Sequence, residues 1–326
     1  MQPTILVTGA NGQLGSVLIP ALRGRYGSER VIASDIRSVP NYRGRFELID
    51  ATDADRLTQV VREQNVTQIY HLAAILSASG EQQPIRTWNI NMSAFLNVLE
   101  VSRQEGIDKV FYPSSIAVFG EGAELDHTPN DSVLDPLTSY GISKAAGENW
   151  AQYYFAKYGL DVRSIRYPGV IGHQSDPGGG TTDYAVEIFH AAVQGKSFDC
   201  FLQADERLPM IFMDDAIRAT LELMETPKEN IQIRTSYNLA GASFSPEEVT
   251  AAIRQYYPGF EVSYAPDYRQ EIAAKWPNSI DDSAARGDWG WQPEYDLKKM
   301  AKTMIEALQK RYNRETPLLG NNQFAA

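Results

Sequence analysis

A glycine pattern near the start of the chain is the feature that most constrains its fold. Residues 5–8 form a short apolar run, Gly9-Ala-Asn-Gly-Gln-Leu-Gly15 follows at once, and residues 13–26 are predicted to be a helix. Glycines at this spacing let the backbone turn tightly and approach an anion, and a helix N-terminus offers N–H groups without partners. The pattern predicts a phosphate cradle, with a generic strand–turn–helix corner as the alternative. Its candidate binding residues are Gly9, Asn11, Gly12, Gln13, Leu14 and Gly15.

Short apolar runs and amphipathic stretches alternate through the first half of the chain. This alternation predicts repeated strand–helix–strand units, which build a parallel sheet with right-handed crossovers. We therefore expect an α/β protein with a Rossmann-type doubly wound parallel sheet. The predicted strands are residues 5–8, 30–34, 46–49, 68–72, 109–113 and 161–166, and the predicted helices are residues 13–26, 54–64, 84–105 and 143–158.

The alternation loosens after Tyr167, where a glycine-rich stretch at 177–183 precedes a predicted helix. We predict a nucleotide-binding domain over residues 1–172, with segments near 210–240 returning to it. A smaller C-terminal α/β region, mainly residues 173–312, would bind the substrate. Residues 313–326 are predicted to be a mobile tail, because little in them can be buried.

A carboxylate at the end of the second predicted strand indicates which cofactor the cradle holds. Asp35 stands where a carboxylate accepts hydrogen bonds from the ribose hydroxyls of an adenosine and repels a 2′-phosphate. This favours NAD over NADP, although Arg37 could receive such a phosphate. The other predicted cofactor contacts are Asp50, for which a carboxylate in a solvated loop is the alternative, Ala51, and Leu72, Ala73 and Ala74, for which tight packing is the alternative.

Ser115, Tyr140 and Lys144 have the chemistry of a proton-transfer site. Tyr140 and Lys144 are four residues apart, so they share one face of a helix. A free tyrosine has a pKa of about 10, and an ammonium group one turn away favours the phenolate and lowers that pKa. A serine at the end of the fifth strand could orient a substrate hydroxyl. The alternative is an exposed helical pair of tyrosine and lysine.

These motifs resemble the extended short-chain dehydrogenase/reductase family over residues 1 to about 312. The resemblance implies that Tyr140 is the catalytic acid/base, that Lys144 binds ribose and lowers the pKa of the tyrosine, and that Ser115 orients the substrate. It also matches Asn91 to an asparagine that supports a proton relay behind the lysine, with a structural helix residue as the alternative. Tyr167, at the end of the sixth strand, is a further predicted cofactor contact.

Longer stretches resemble one branch of this family, the short-chain type of L-threonine 3-dehydrogenase. They are residues 71–81, 113–120, 166–169, 177–184, 208–214, 276–282 and 285–289. The resemblance implies NAD-dependent oxidation of L-threonine at C3 to 2-amino-3-oxobutyrate. A dehydratase is disfavoured because no carboxylate follows Ser115, whereas a UDP-sugar 4-epimerase and a non-catalytic NAD-sensing module stay open. The predicted substrate contacts are Ser79, Ser115, Tyr140, Gly178, Gly179, Gly180, Thr181 and Thr182.

Charge and composition restrict the partners. The 41 acidic residues outnumber the 30 basic ones, and the net charge of −11 argues against nucleic acid and anionic membranes. No apolar run approaches the roughly 20 residues of a membrane span. The four histidines lack the spacing of a metal site, and the single Cys200 needs no oxidising compartment.

We therefore expect a cytoplasmic enzyme that uses NAD, binds no metal and acts on a small molecule. Membranes and nucleic acids are not expected as partners. The family resemblance also implies a homodimer, formed through the helices near residues 91–105 and 144–158.

Overall fold

The computed structural model describes residues 2–178 and 180–315, with only the backbone described at residues 78, 79, 314 and 315. A seven-stranded parallel sheet lies at its centre. The predicted α/β fold with a Rossmann-type doubly wound sheet is confirmed. From one edge to the other, the strands are β10 (Tyr237–Asn238), β6 (Val162–Tyr167), β5 (Lys109–Ser115), β4 (Gln68–His71), β1 (Ile5–Thr8), β2 (Val31–Asp35) and β3 (Phe46–Leu48).

Helices cover both faces of this sheet because successive strand residues point to opposite sides. Ile5 and Val7 belong to the core formed with two helices, α1 (Gln13–Tyr26) and α7 (Met213–Glu225). Leu6, between them, belongs to the core on the other face. The helices of that face are α2 (Ala54–Gln64), α4 (Pro84–Glu105) and α5 (Ser139–Tyr158).

The order of the strands determines where a ligand can bind. β1 lies between β4 and β2, so the direction in which the sheet grows reverses there. Ligands of such sheets bind outside the carboxyl ends of the strands at this reversal. The glycine pattern follows β1, Asp35 ends β2, and Ser115 ends β5. The fold therefore gathers these residues at one edge of the sheet.

The second half of the chain adds two small sheets and returns β10 to the central one. β7 (Gly169–Ile171), β9 (Leu208–Phe212) and β11 (Ala242–Phe244) form one sheet, and β8 (Phe198–Cys200) and β12 (Val262–Tyr264) form the other. The domain limits at 172 and 312 stay predictions, and residues 316–326 of the predicted tail lie outside the described residues. The remaining helices are α3 (Ser77–Glu81), α6 (Tyr184–Val193), α8 (Pro246–Arg254), α9 (Tyr268–Ala273), α10 (Ser283–Trp289) and α11 (Leu297–Glu315).

Two helices near the carboxyl edge differ from the prediction. α5 begins at Ser139, four residues before the predicted start at 143, because the Thr138 hydroxyl accepts a hydrogen bond from the Gly141 N–H at 3.0 Å and caps the helix. Tyr140 therefore lies in the first turn of α5. Residues 77–81, expected to be a loop, form α3, which is too short to show a helical period in the sequence.

Within residues 2–178 and 180–315, no helix has the length and apolarity needed to cross a membrane. The same residues contain no group of three or more His, Cys, Asp or Glu side chains arranged to hold a metal ion. Cys200 is fully buried in the core, and burial raises the pKa of its thiol to about 11. Its thiol is therefore protonated at neutral pH.

Candidate active site

Two cavities lie at the carboxyl edge of the central sheet. The larger, here the cradle cavity, has a volume of about 580 Å³ and surrounds the loops after β1, β2 and β4. The smaller, here the tyrosine cavity, has a volume of about 170 Å³ and surrounds the ends of β5 and β6. Leu72 and Ala74 line both. The predicted cofactor residues that line the cradle cavity are Gly9, Asn11, Gly12, Asp35, Arg37, Asp50, Ala51, Leu72, Ala73 and Ala74.

The three glycines of the cradle serve different purposes. Gly9 has a φ of +74°, and a methyl group on it would lie 2.6 Å from the backbone nitrogen of Ala73. Gly15 lines neither cavity, and a methyl group on it would lie 2.6 Å from the carbonyl oxygen of Gly9. These two glycines therefore let α1 and the loop after β4 pack closely. A methyl group on Gly12 would meet only the Gly9 carbonyl oxygen, at 3.3 Å, and would extend into the cradle.

The N-terminus of α1 fits the pyrophosphate of a dinucleotide. Gly12 is the N-cap of this helix and supplies no side-chain cap, and its first turn carries no acidic residue. The first N–H groups of α1 and its positive dipole end therefore face an open cradle, which is how such helices bind phosphate. Gln13 and Leu14, the first two residues of the helix, line the tyrosine cavity beside it.

Asp35 is held at the mouth of the cradle by backbone groups. Its carboxylate accepts hydrogen bonds from the N–H groups of Asn11 at 3.0 Å and Arg37 at 3.3 Å, and the Asn11 amide donates to the Arg37 carbonyl at 2.7 Å. A carboxylate has about four acceptor positions, so it retains capacity for two ribose hydroxyls. Asp50 accepts from the N–H and hydroxyl of Thr52, at 2.9 and 2.8 Å. The cradle therefore fits the adenosine half of NAD.

A close backbone approach brings Tyr140 to Ser115. A methyl group on Gly141 would lie 2.1 Å from the carbonyl oxygen of Ala117, so only glycine lets α5 begin so near the end of β5. The hydroxyl of Ser115 accepts from the Ala117 N–H at 3.2 Å and lies close enough to the phenol of Tyr140 to lower its pKa. Ser115, Tyr140 and Lys144 all line the tyrosine cavity.

The pKa of Tyr140 differs from the expectation. Burial of its hydroxyl raises the pKa to about 12, and the hydrogen bond with Ser115 opposes this only in part. The expectation of a lowered pKa is therefore wrong for the protein described here, because residue spacing does not register burial. The ammonium of Lys144 lies 5.5 Å from the ring centroid of Tyr140. A positive charge near the ring favours the phenolate form of Tyr140.

Lys144 is buried among groups that hold its ammonium in place. The Nζ atom donates to the Pro113 carbonyl at 2.6 Å and lies 4.5 Å from the ring centroid of Tyr112. Burial lowers the pKa of Lys144 to about 7, and the carboxylate of Glu148, one turn further along α5, opposes this. Lys144 is thus poised to lose its charge near neutral pH.

A buried polar network lies behind Lys144. Glu148 is fully buried, accepts the Ser114 hydroxyl at 2.5 Å, and is bound by Arg166 through two nitrogens at 3.0 and 2.7 Å. Arg166 also donates to the Asn130 carbonyl at 2.7 Å and to the Asn238 side chain at 3.1 Å. These contacts fix the end of β5, and with it Ser115, relative to α5 and β10.

Two predicted residues contact other parts of the protein. The Asn91 amide bonds both backbone groups of Ile75, at 2.8 and 3.1 Å, and Ser143 at 3.4 Å, and Asn91 lines neither cavity. It holds the loop after β4 instead of contacting the cavities. Tyr167 lines the tyrosine cavity, but its hydroxyl hydrogen-bonds Thr220 on α7.

The glycine-rich stretch forms one wall of the tyrosine cavity. Four of the predicted substrate contacts line it: Gly178, Gly180, Thr181 and Thr182. A methyl group on Gly169 would lie 2.9 Å from Cβ of Thr182, so glycine there lets the stretch approach β7. Gly179 and the side chain of Ser79, both predicted substrate contacts, lie outside the described residues.

Sequence reasoning missed several residues of this cavity. Trp276, Ser77 and Asp183 line it together with the predicted residues. Trp276 also belongs to the hydrophobic core of the second half. The resemblance over residues 276–282 indicated that this segment belongs to the functional part of the chain. No sequence pattern, however, places it next to residues more than 130 positions earlier.

Comparison with known proteins defines the family. The NAD dependent epimerase/dehydratase family matches residues 5–240, and this chain belongs to it. An uncharacterized epimerase/dehydratase of Staphylococcus aureus is 44% identical over 312 residues, covering 94% of this chain and 97% of that protein.

Solved structures add a narrower likeness. A GalE-like L-threonine dehydrogenase from Cupriavidus necator, in its holo form, is 54% identical with a TM-score of 0.93, covering 94% of this chain and 100% of that one. A monomeric L-threonine 3-dehydrogenase from a metagenome, in its apo form, is 46% identical with a TM-score of 0.92, covering 94% and 99%.

Several predictions are confirmed by these comparisons. They are the family, NAD as the cofactor, and an NAD-dependent dehydrogenase as the class of enzyme. The roles of individual residues, the homodimer and the cytoplasmic location stay predictions.

Proposed function

We propose that this protein oxidises L-threonine at C3 to 2-amino-3-oxobutyrate with NAD, and that Tyr140 is the general base. The observation that carries the proposal is the grouping of Ser115, Tyr140 and Lys144 around one small cavity next to the cradle. The two solved L-threonine dehydrogenases, 54% and 46% identical over nearly the whole chain, support the choice of substrate.

The chemistry follows from the three side chains. Bound NAD supplies the acceptor for the C3 hydride. Tyr140 takes the proton of the C3 hydroxyl as general base, and the Ser115 hydroxyl, which lines the same cavity, orients the substrate oxygen. The ammonium of Lys144 favours the phenolate of Tyr140 that this step requires.

The size of the tyrosine cavity favours an amino acid over a nucleotide sugar. Its volume is about 170 Å³, whereas pockets for drug-sized ligands span roughly 300–1,000 Å³. Gly178 and Thr181 line it with a backbone N–H and a hydroxyl group suited to a carboxylate. An amino acid substrate would not require room for a second nucleotide beside the cofactor.

The test is turnover of the purified protein with NAD and L-threonine, followed by the absorbance of NADH. We expect steady formation of NADH with L-threonine. In the Tyr140→Phe variant we expect the rate to fall by about 10²-fold or more, since the base is removed, while NAD binding measured by calorimetry is retained.

Tyr153→Phe is the matched control, because Tyr153 lies on the same helix and is 43% exposed. We expect it to keep the activity of the wild type. Conversion of UDP-glucose without net NADH, and no reaction with L-threonine, would establish the epimerase instead. Near-normal turnover of Tyr140→Phe would reject Tyr140 as the base.

A further inference from the structure

One carboxylate faces the tyrosine cavity. Among the described residues that line it, Asp183 is the only one with a carboxylate and Lys144 the only one with a positively charged side chain. Lys144 is already engaged with Pro113 and Tyr112. A ligand that carries both an ammonium and a carboxylate would therefore meet one negative group in this cavity, at Asp183.

Asp183 is turned towards the glycine-rich stretch instead of capping its own helix. It is the residue before α6, yet its side chain makes no capping bond to that helix. Its Oδ2 accepts the N–H of Gly180 at 2.8 Å, which fixes the carboxylate at the cavity wall. Within the described part of the chain, Oδ1 receives no hydrogen bond, so it can accept one from a ligand.

A second group in the same wall lacks a partner. Thr181 is 1% exposed, lines the tyrosine cavity, and its hydroxyl has no hydrogen bond within the described residues. A buried hydroxyl without a partner costs free energy, so such groups in a binding site indicate a missing ligand. Thr181 and Asp183 are two residues apart, which suits a ligand with a hydrogen-bonding end and a positive end.

We infer that Asp183 binds the α-ammonium of the substrate and makes the site selective for 3-hydroxy amino acids over 3-hydroxy acids without an amino group. This inference rests on the proposed function and names the residue that recognises the substrate class. The selectivity has one physical cause for ligands with an ammonium group and another for ligands without it. An ammonium gains a charged hydrogen bond with Asp183, whereas a ligand without it leaves Oδ1 of this half-buried carboxylate without a donor in the cavity.

The test compares two ligands in the Asp183→Asn variant. The asparagine amide oxygen can still accept the Gly180 N–H, so the stretch keeps its bond and only the charge is lost. For L-threonine we expect kcat/KM to fall by about 10²-fold, mainly through KM, because a charge pair is broken. For 3-hydroxybutyrate, measured by its inhibition constant against L-threonine, we expect no weakening.

Asp176→Asn is the matched control, since Asp176 lies directly before the same stretch and pairs with Arg311 at 2.9 Å, outside the cavity. It should leave the ratio of the two constants unchanged. An unchanged ratio in Asp183→Asn, or an equal loss for both ligands, would overturn the inference while the proposed function stood. Absence of threonine turnover in the wild type would instead reject the proposed function itself.

Discussion

Burial of the Lys144 ammonium lowers the stability of the folded protein. Its side chain is 3% exposed, and burial lowers its pKa to about 7. A buried ammonium is costly to desolvate, and Lys144 has one carbonyl and the more distant Glu148 to compensate. Glu148 is itself paired with Arg166, so it would remain neutralised if Lys144 were absent. Under the proposed function, this charge serves catalysis at the expense of the stability of the folded state.

The Lys144→Met variant should be inactive but more stable at pH 7. The folded pKa of about 7 lies below the reference value of 10.5. Between these values the unfolded chain binds more protons, so the free energy of unfolding rises with pH across this window. The methionine variant lacks this pH dependence, and at pH values below the window it also lacks the cost of burying an ammonium group. We expect the melting temperature at pH 7 to rise by about 2 °C or more, with a flatter profile from pH 7 to 10.5.

Thermal melts of Lys298→Met provide the control, because Lys298 is exposed on another helix, α11. That variant should melt like the wild type at every pH. A Lys144→Met variant less stable than the wild type at pH 7 would mean that the bond to Pro113 outweighs the cost of burying the charge.

At the scale of elements, α4 determines the shape of both cavities through one side chain. The Asn91 amide pairs with both backbone groups of Ile75, in the loop between β4 and α3. Leu72 and Ala74 of this loop line the cradle cavity and the tyrosine cavity alike. Asn91 is thus a positioning residue that holds the wall shared by the two sites.

Asn91→Ala should weaken both the fold and the binding of NAD. The backbone groups of Ile75 would lose their partner, at a cost of about 1–3 kcal/mol in the free energy of unfolding. We expect denaturant melts to show this loss and calorimetry to show a weaker affinity for NAD. Gln104→Ala, on the exposed face of the same helix, should change neither. A normal affinity with an altered pH profile of the rate would favour the proton relay.

Secondary-structure elements could be predicted where the pattern that indicates them lies within one short segment of the sequence. The bounds of β1, α1, α2 and α4 match the predicted residue ranges, because apolar periodicity and turn residues stand next to one another in the chain. The cradle and the grouping of Ser115, Tyr140 and Lys144 followed from such local patterns. The link of Glu148 to Arg166 and Asn238 did not, because these residues are up to 90 positions apart.

On the scale of the whole molecule, α4 and α5 present an apolar surface. Trp150 and Tyr153 of α5 are 39% and 43% exposed and meet edge to face at 5.5 Å between ring centroids. Ile85 and Trp88 of α4 are exposed as well. Exposed apolar patches of this kind mark association sites. The surface agrees with the predicted homodimer, although the metagenomic relative is called monomeric.

Sedimentation velocity should show a concentration-dependent dimer for the wild type. The double variant Trp150→Glu, Tyr153→Glu should sediment as a monomer, because two buried charges would face each other across the interface. Tyr268→Glu, which changes a 59% exposed tyrosine on α9, should stay dimeric. A wild type that remains monomeric at all concentrations would contradict the prediction.

The position of β10 has a consequence during synthesis on the ribosome. β6 ends at Tyr167, but the strand that pairs with its open side begins about 70 residues later. At translation speeds of about 5–20 residues per second, one side of β6 stays unpaired for roughly 4–14 s until β10 is synthesised. Arg163 and Arg166 lie on this waiting strand, and charges on an open strand discourage pairing with other nascent chains. Arg166, which binds Glu148 in the folded protein, therefore also discourages association of the incomplete chain.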